Sequence, residues 1–135
     1  MKNPLPAEIP QTWIRHAKSD LRMAEIALDS PGILFEDACF HAQQCAEKAL
    51  KGLLTHLNIS FPRTHAIEVL LDILSASGIE IPPDIDEAFT LTQYAVETRY
   101  PGKWEEVNKE ETERAILVAK NILNWVEGLL EKYND

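Results

Sequence analysis

The sequence predicts an all-α fold, a single up-and-down bundle of about five helices. Apolar residues recur at three- and four-residue intervals in five segments, and short breaks rich in Pro, Gly, Asn and Ser separate those segments. No stretch alternates with the period of two that a half-buried strand needs. A chain of 135 residues buries roughly two-thirds of its unfolded surface on folding. That suffices for one core. With no repeat period and no low-complexity linker, residues 1–135 are expected to form one domain with its core over about 12–133.

After a Pro-broken leader, Thr12 is placed to cap a first helix in which Trp13, Ala17, Leu21, Ala24 and Leu28 step by helical intervals. The run "DSPG" at 29–32 ends it. A second helix covers about Phe35 to Leu57, where "NISFPR" breaks the pattern. Thr64 is the expected cap of a third, which turns Ile67, Leu70, Leu71 and Leu74 inward and stops at "ASG", residues 76–78. Asp84 with Glu87 three residues later resembles a capping box, and opens a fourth helix with Ile85, Ala88, Leu91 and Ala95 on its inner face. It should end near "RYPG", because Pro101 disfavours helical geometry at Tyr100. Asn108 and Glu111 open the fifth, whose inner face is Ala115, Val118, Ala119, Ile122, Val126, Leu129 and Tyr133.

Composition removes several classes of function. The hydrophobic share of 45% and charged share of 26% are those of an ordinary soluble domain. No run reaches the roughly 18 apolar residues of a membrane span, and the opening "MKNPLPAEIPQTW" lacks a signal-type apolar run, so no membrane contact and a cytoplasmic location are expected. The net charge of −9 repels polyanions in general. Residues 80–111 hold nine acidic and three basic side chains against seven of each in residues 1–64, so a contact with RNA requires a local cationic cluster. Cys39 and Cys45 lie on one helix, about 9 Å apart along its axis, too far to bridge and without further ligands at metal spacing. Neither a metal nor a cofactor is expected.

The second helix, around "CFHAQQCAEKALKGLL" (39–54), carries the first candidate site. Projected at 100° per residue, Ala38, Cys39, Ala42, Cys45, Ala46, Ala49, Leu50, Leu53 and Leu57 share one arc. His41, Gln44, Lys48, Lys51 and Thr55 share the opposite flank. This stripe either solvates the helix or faces a groove or a second copy of the protein, where His41 and the lysines meet an anion. A second candidate is "AVETRYPGKW" (95–104), where Arg99 stands beside Tyr100 and Trp104 in the most acidic part of the chain. A guanidinium beside aromatic rings suits phosphate or base recognition, and equally suits pairing with a neighbouring glutamate. His65 opens the third helix and reads as an early-turn hydrogen-bonding or packing residue; His16 and His56 read as exposed.

Together, "FHAQQCAEKALKGLL" (40–54), "RTHAIEVLL" (63–71) and "VETRYPG" (96–102), with a Trp-led first helix and a long last one, resemble the HEPN domain family over about Trp13 to Tyr133. The resemblance implies a helical bundle that homodimerises and is encoded beside a minimal nucleotidyltransferase, the two acting as toxin and antitoxin. In the ribonuclease branch it implies metal-independent RNA cleavage by an Arg and a following His with four to six residues between them, the pairs of two copies lining one groove. Here Arg15, Arg22, Arg63, Arg99 and Arg114 all lack a His at that spacing; after Arg99 stand Trp104, Glu105 and Glu106. The carry-over therefore makes Arg99, with His41 or His65 standing in for the missing partner, the catalytic candidates. Lys48, Lys51, Arg99 and Tyr100 are the nucleotide- or anion-binding candidates. Weak or absent ribonuclease activity is the expectation, and a non-catalytic nucleotide- or anion-binding module is the alternative.

Overall fold

The computed structural model describes residues 3–95 and 106–133. Four α-helices, α1 (Pro10–Asp29), α2 (Phe35–His56), α3 (Ile67–Ala76) and α4 (Lys109–Lys132), are joined by a 3₁₀ segment over Pro83–Ala95, with a further 3₁₀ turn at Pro6–Glu8. No strand occurs among the described residues. The all-helical bundle expected from periodicity is the fold observed. α2 is its axis, packed against α1, α4, α3 and the 3₁₀ segment together.

Why α2 takes the centre follows from its small residues. Ala38, Cys39, Ala42, Cys45, Ala46 and Ala49 are fully buried, and their short side chains let neighbouring helices approach. Leu50, Leu53 and Leu54 fill the space beyond them. Gly52 marks the closest approach: a Cβ there would lie 2.9 Å from Trp13 Cβ and 3.4 Å from the Pro10 carbonyl oxygen. The start of α1 thus lies on the end of α2, and farther along Asp20 meets His41 and Lys48, so the two run antiparallel.

Helix ends explain most differences from the expected boundaries. α1 starts at Pro10 and not after Thr12, since Pro at the first position supplies the right φ and has no N–H to satisfy. α2 ends in a Schellman motif: Asn58 is left-handed (φ 58°), Asn58 N–H donates to Thr55 O and Ile59 N–H to Leu54 O. The same motif closes α3 with Gly78 at φ 93°, Gly78 N–H donating to Ser75 O and Ile79 N–H to Leu74 O. Thr64 does not cap α3. Its hydroxyl accepts from Ala66 N–H, and the orphan Ile67 N–H at the true start donates to Thr92 of the 3₁₀ segment. Asn108 caps α4 as expected, its side chain accepting from Glu111 N–H at 2.8 Å.

The fourth expected α-helix is a 3₁₀ segment, and Asp84 lies inside its first turn instead of capping it. Its buried residues are Ile85, Ala88, Leu91 and Tyr94. That is a strict spacing of three, the period of a 3₁₀ helix and not the 3.6 of an α-helix. An α-helix would have carried Ala95 inward in place of Tyr94.

Candidate functional site

The polar flank of α2 is drawn partly into the bundle. Of the stripe expected to meet solvent or a groove, Lys51 is buried at 8% exposure and His41, Gln44, Lys48 and Thr55 are half-buried, while Glu47 at 4% and the fully buried Gln43 lie interior beside it. Such groups are tolerated inside only when paired. Two networks pair them.

In the first, Asp20 of α1 accepts from both sides: His41 Nδ1 at 2.9 Å on one oxygen and Lys48 Nζ at 2.6 Å on the other. The Asp20 side chain is 12% exposed, His41 27% and Lys48 24%. The edge of the His41 ring also meets Phe40, with centroids 5.4 Å apart. Beneath lies Cys45, its thiol pushed up to about 12 by burial first and by the Asp20 charge second, which leaves it an inert core group. Neither cysteine forms a disulfide and both are buried, as their spacing requires.

In the second network Glu47 is the hub. One carboxylate oxygen accepts from Gln43 Nε2 at 3.0 Å and lies 2.8 Å from His65 Nδ1; the other accepts from Lys51 Nζ at 3.0 Å. Burial alone would push the Glu47 carboxyl up, but the hydrogen bonds from Gln43, His65 and Lys51, with the Lys51 charge, outweigh it and hold the group below its ordinary value. Gln43 Nε2 also reaches the His65 carbonyl at 3.0 Å, while Gln44 donates to Gln43 Oε1 at 2.7 Å and fixes the amide. Lys51 is closed in by two rings, Trp13 at 6.0 Å and Phe61 at 5.8 Å, which themselves meet edge to face.

The structure therefore divides the sequence candidates. His41 and Lys48 sit in one network, His65 and Lys51 in the other, and each lysine is neutralised by a carboxylate of this chain. Arg99, Tyr100 and Trp104 fall in residues 96–105, outside the described residues. Neither Gln43 nor Glu47 belongs to the flank that the helical projection picks out. The available signal was the spacing 43, 47, 51, which stacks three polar side chains on one line of a helix. An open depression of about 390 Å³ between α1 and α4, bordered by Arg15, Lys18, Glu127 and Glu131, includes none of the candidates. Among the described residues no group of three or more His, Cys, Asp or Glu is arranged to hold a metal. No helix among them is long and apolar enough to cross a membrane.

Comparison with known proteins places this geometry. The HEPN domain model matches residues 10–129, nearly the whole helical bundle. The chain belongs to the HEPN family. A relative from Methanocaldococcus jannaschii, named "Putative toxin MJ1304", is 30% identical over 90% of this chain and 88% of its own. Two solved structures share the fold. ST0689, described as an archaeal HEPN homologue, is 36% identical with a TM-score of 0.71, over 90% of this chain and 98% of its own. TT1696 from Thermus thermophilus is 34% identical with a TM-score of 0.72, over 88% and 96%. This HEPN domain is thus matched along its length, and it carries its buried Gln43–Glu47–Lys51 line on the axial helix of the fold.

Proposed function

We propose that this HEPN protein is the toxin-like half of a pair whose other half is a minimal nucleotidyltransferase-type protein encoded nearby, and that it acts on RNA in the cytoplasm as a homodimer with weak ribonuclease turnover. The observation that carries the reading is the likeness to a toxin-named relative along nine-tenths of both chains. Weak turnover follows from the sequence: no Arg is followed by a His with four to six residues between them, so the proton-transfer group must come from elsewhere in the fold. The family resemblance makes Arg99 a phosphate-binding candidate in this reading. Of the two histidines, His65 is the better placed, its ring 68% exposed against 27% for His41.

The alternative, a non-catalytic nucleotide- or anion-binding module, is the poorer fit. Lys48 and Lys51, its expected cations, are each committed to a buried carboxylate, which leaves the anion to Arg99 and Tyr100. Growth of a bacterial host decides between them. Arrest on induction of the protein alone, relief by co-expression of its genomic neighbour and loss of arrest in Arg99→Ala are expected. Unimpaired growth, together with saturable ATP binding that vanishes in Arg99→Ala, would replace the toxin reading with the binding module.

A further inference from the structure

His65 is unlike a histidine that serves packing. Its side chain is 68% exposed, yet Nδ1 is held 2.8 Å from a carboxylate that is only 6% exposed. Anchoring of the chain before α3 does not explain this arrangement, because Gln43 already holds that segment through the His65 backbone carbonyl, a bond any residue could accept. Nor does Glu47 need the imidazole for neutralisation, since Lys51 supplies a full positive charge at 3.0 Å. An ionised carboxylate has only acceptors, so Nδ1 carries the hydrogen of the contact. In the neutral ring Nε2 is then the bare nitrogen, on an exposed side chain.

We propose that Glu47 is a positioning residue that holds His65 as an oriented proton acceptor through Nε2, and that Arg63, two residues upstream, binds the phosphate beside it. Arg63 is exposed and makes no ion pair among the described residues. The substrate class, which rests on the RNA reading above, is a phosphodiester with a neighbouring hydroxyl. His65 Nε2 takes the 2′-hydroxyl proton, the 2′-oxygen bonds to phosphorus, and the bond from phosphorus to the 5′-oxygen breaks. A 2′,3′-cyclic phosphate forms, and the departing 5′-oxygen takes a proton from water. His65 gives its proton back to solvent, so no further reactant is consumed.

Gln43, Glu47 and Lys51 form the frame. Glu47 accepts from three donors, and a glutamine in its place cannot, because its amide nitrogen would face a donor whichever way it turned. Glu47→Gln therefore releases the His65 tautomer without removing the imidazole.

The test has two independent readouts. Long-range nitrogen–proton correlation spectra of the full chain, free of RNA, should show His65 protonated on Nδ1 in the wild type and in Arg63→Ala, and a tautomer mixture in folded Glu47→Gln. A wild-type His65 protonated on Nε2 overturns the orientation whatever the protein does to RNA. With a single-stranded RNA oligonucleotide, His65→Ala should lower cleavage about 100-fold and added imidazole should restore part of it. Arg63→Ala should lower cleavage while leaving the spectrum unchanged. Cleavage that survives His65→Ala overturns the catalytic assignment. A wild type that cleaves no RNA defeats the RNA reading and that assignment with it, while the spectra still decide the orientation.

Discussion

At the scale of single residues, the molecule is organised around carboxylates that have been taken out of water. Glu47 is held ionised by three donors, and its lowered pKa links it to folding. The sign follows from proton binding. Below its ordinary value of 4.5 the unfolded chain binds the proton that the folded one refuses, so stability is present above that value and is lost as pH falls through the folded pKa. Glu47→Gln leaves the buried Lys51 without a counter-charge, and should cost about 3 kcal/mol near neutral pH. In paired urea titrations of wild type and variant, the gap should narrow steadily below pH 4.5. A constant gap would mean that Glu47 does not titrate differently in the two states. Asp20 occupies the equivalent place between α1 and α2, where it joins His41 and Lys48.

At the scale of elements, α2 fits its neighbours because it is narrow. Gly52→Ala gains up to about 1 kcal/mol of helix propensity. The new methyl meets Trp13 Cβ at 2.9 Å, an atom fixed to the backbone of α1, and the helices must separate. Overpacking of this kind costs about 1–3 kcal/mol, so a net loss of stability is expected by chemical denaturation, and a gain would show that α1 gives way freely. Asn108→Ala removes the one side-chain cap at the start of α4 and should cost about 1 kcal/mol, whereas Asn108→Asp should keep the cap. The 3₁₀ segment is tied at both faces: Thr92 donates to Glu68 and accepts from Ile67 N–H, and the Tyr94 hydroxyl donates to Glu111 of α4. Those ties hold a long run of a conformation that is uncommon beyond three or four residues.

At the scale of the whole molecule, the proposed pairing and homodimer give predictions that no single contact decides. Met23, Ile26, Ile33 and Leu34 are exposed on α1 and the turn after it, apolar surface that a second copy could cover. Light scattering at micromolar concentration should return twice the chain mass. A monomer would remove the shared groove from the toxin reading while leaving the Glu47–His65 geometry intact, since every atom of that network belongs to one chain. Substitution of Met23 and Ile26 by Lys should lower the mass to that of one chain if this face makes the dimer.

Periodicity in the sequence determined that the chain is helical, where the five segments lie, and which small residues of α2 face the core. It did so because burial of an apolar stripe is a local pattern, repeated every three or four residues, that needs no knowledge of the partner. The motif stretches likewise marked the family, because residue identities at fixed spacing survive without coordinates. Tertiary structure alone decided that Gln43, Glu47 and Lys51 are interior, since the segments packed on that side of α2 exclude water and the buried lysine must find a carboxylate. Thr64 lost its capping role, and Thr92 took up the α3 donor, for a related reason: the orphan N–H is satisfied from 25 residues away. The join of Glu47 to His65, 18 residues apart in sequence, is of the same kind, and was invisible until the chain beyond α2 folded back and Gln43 gripped its backbone.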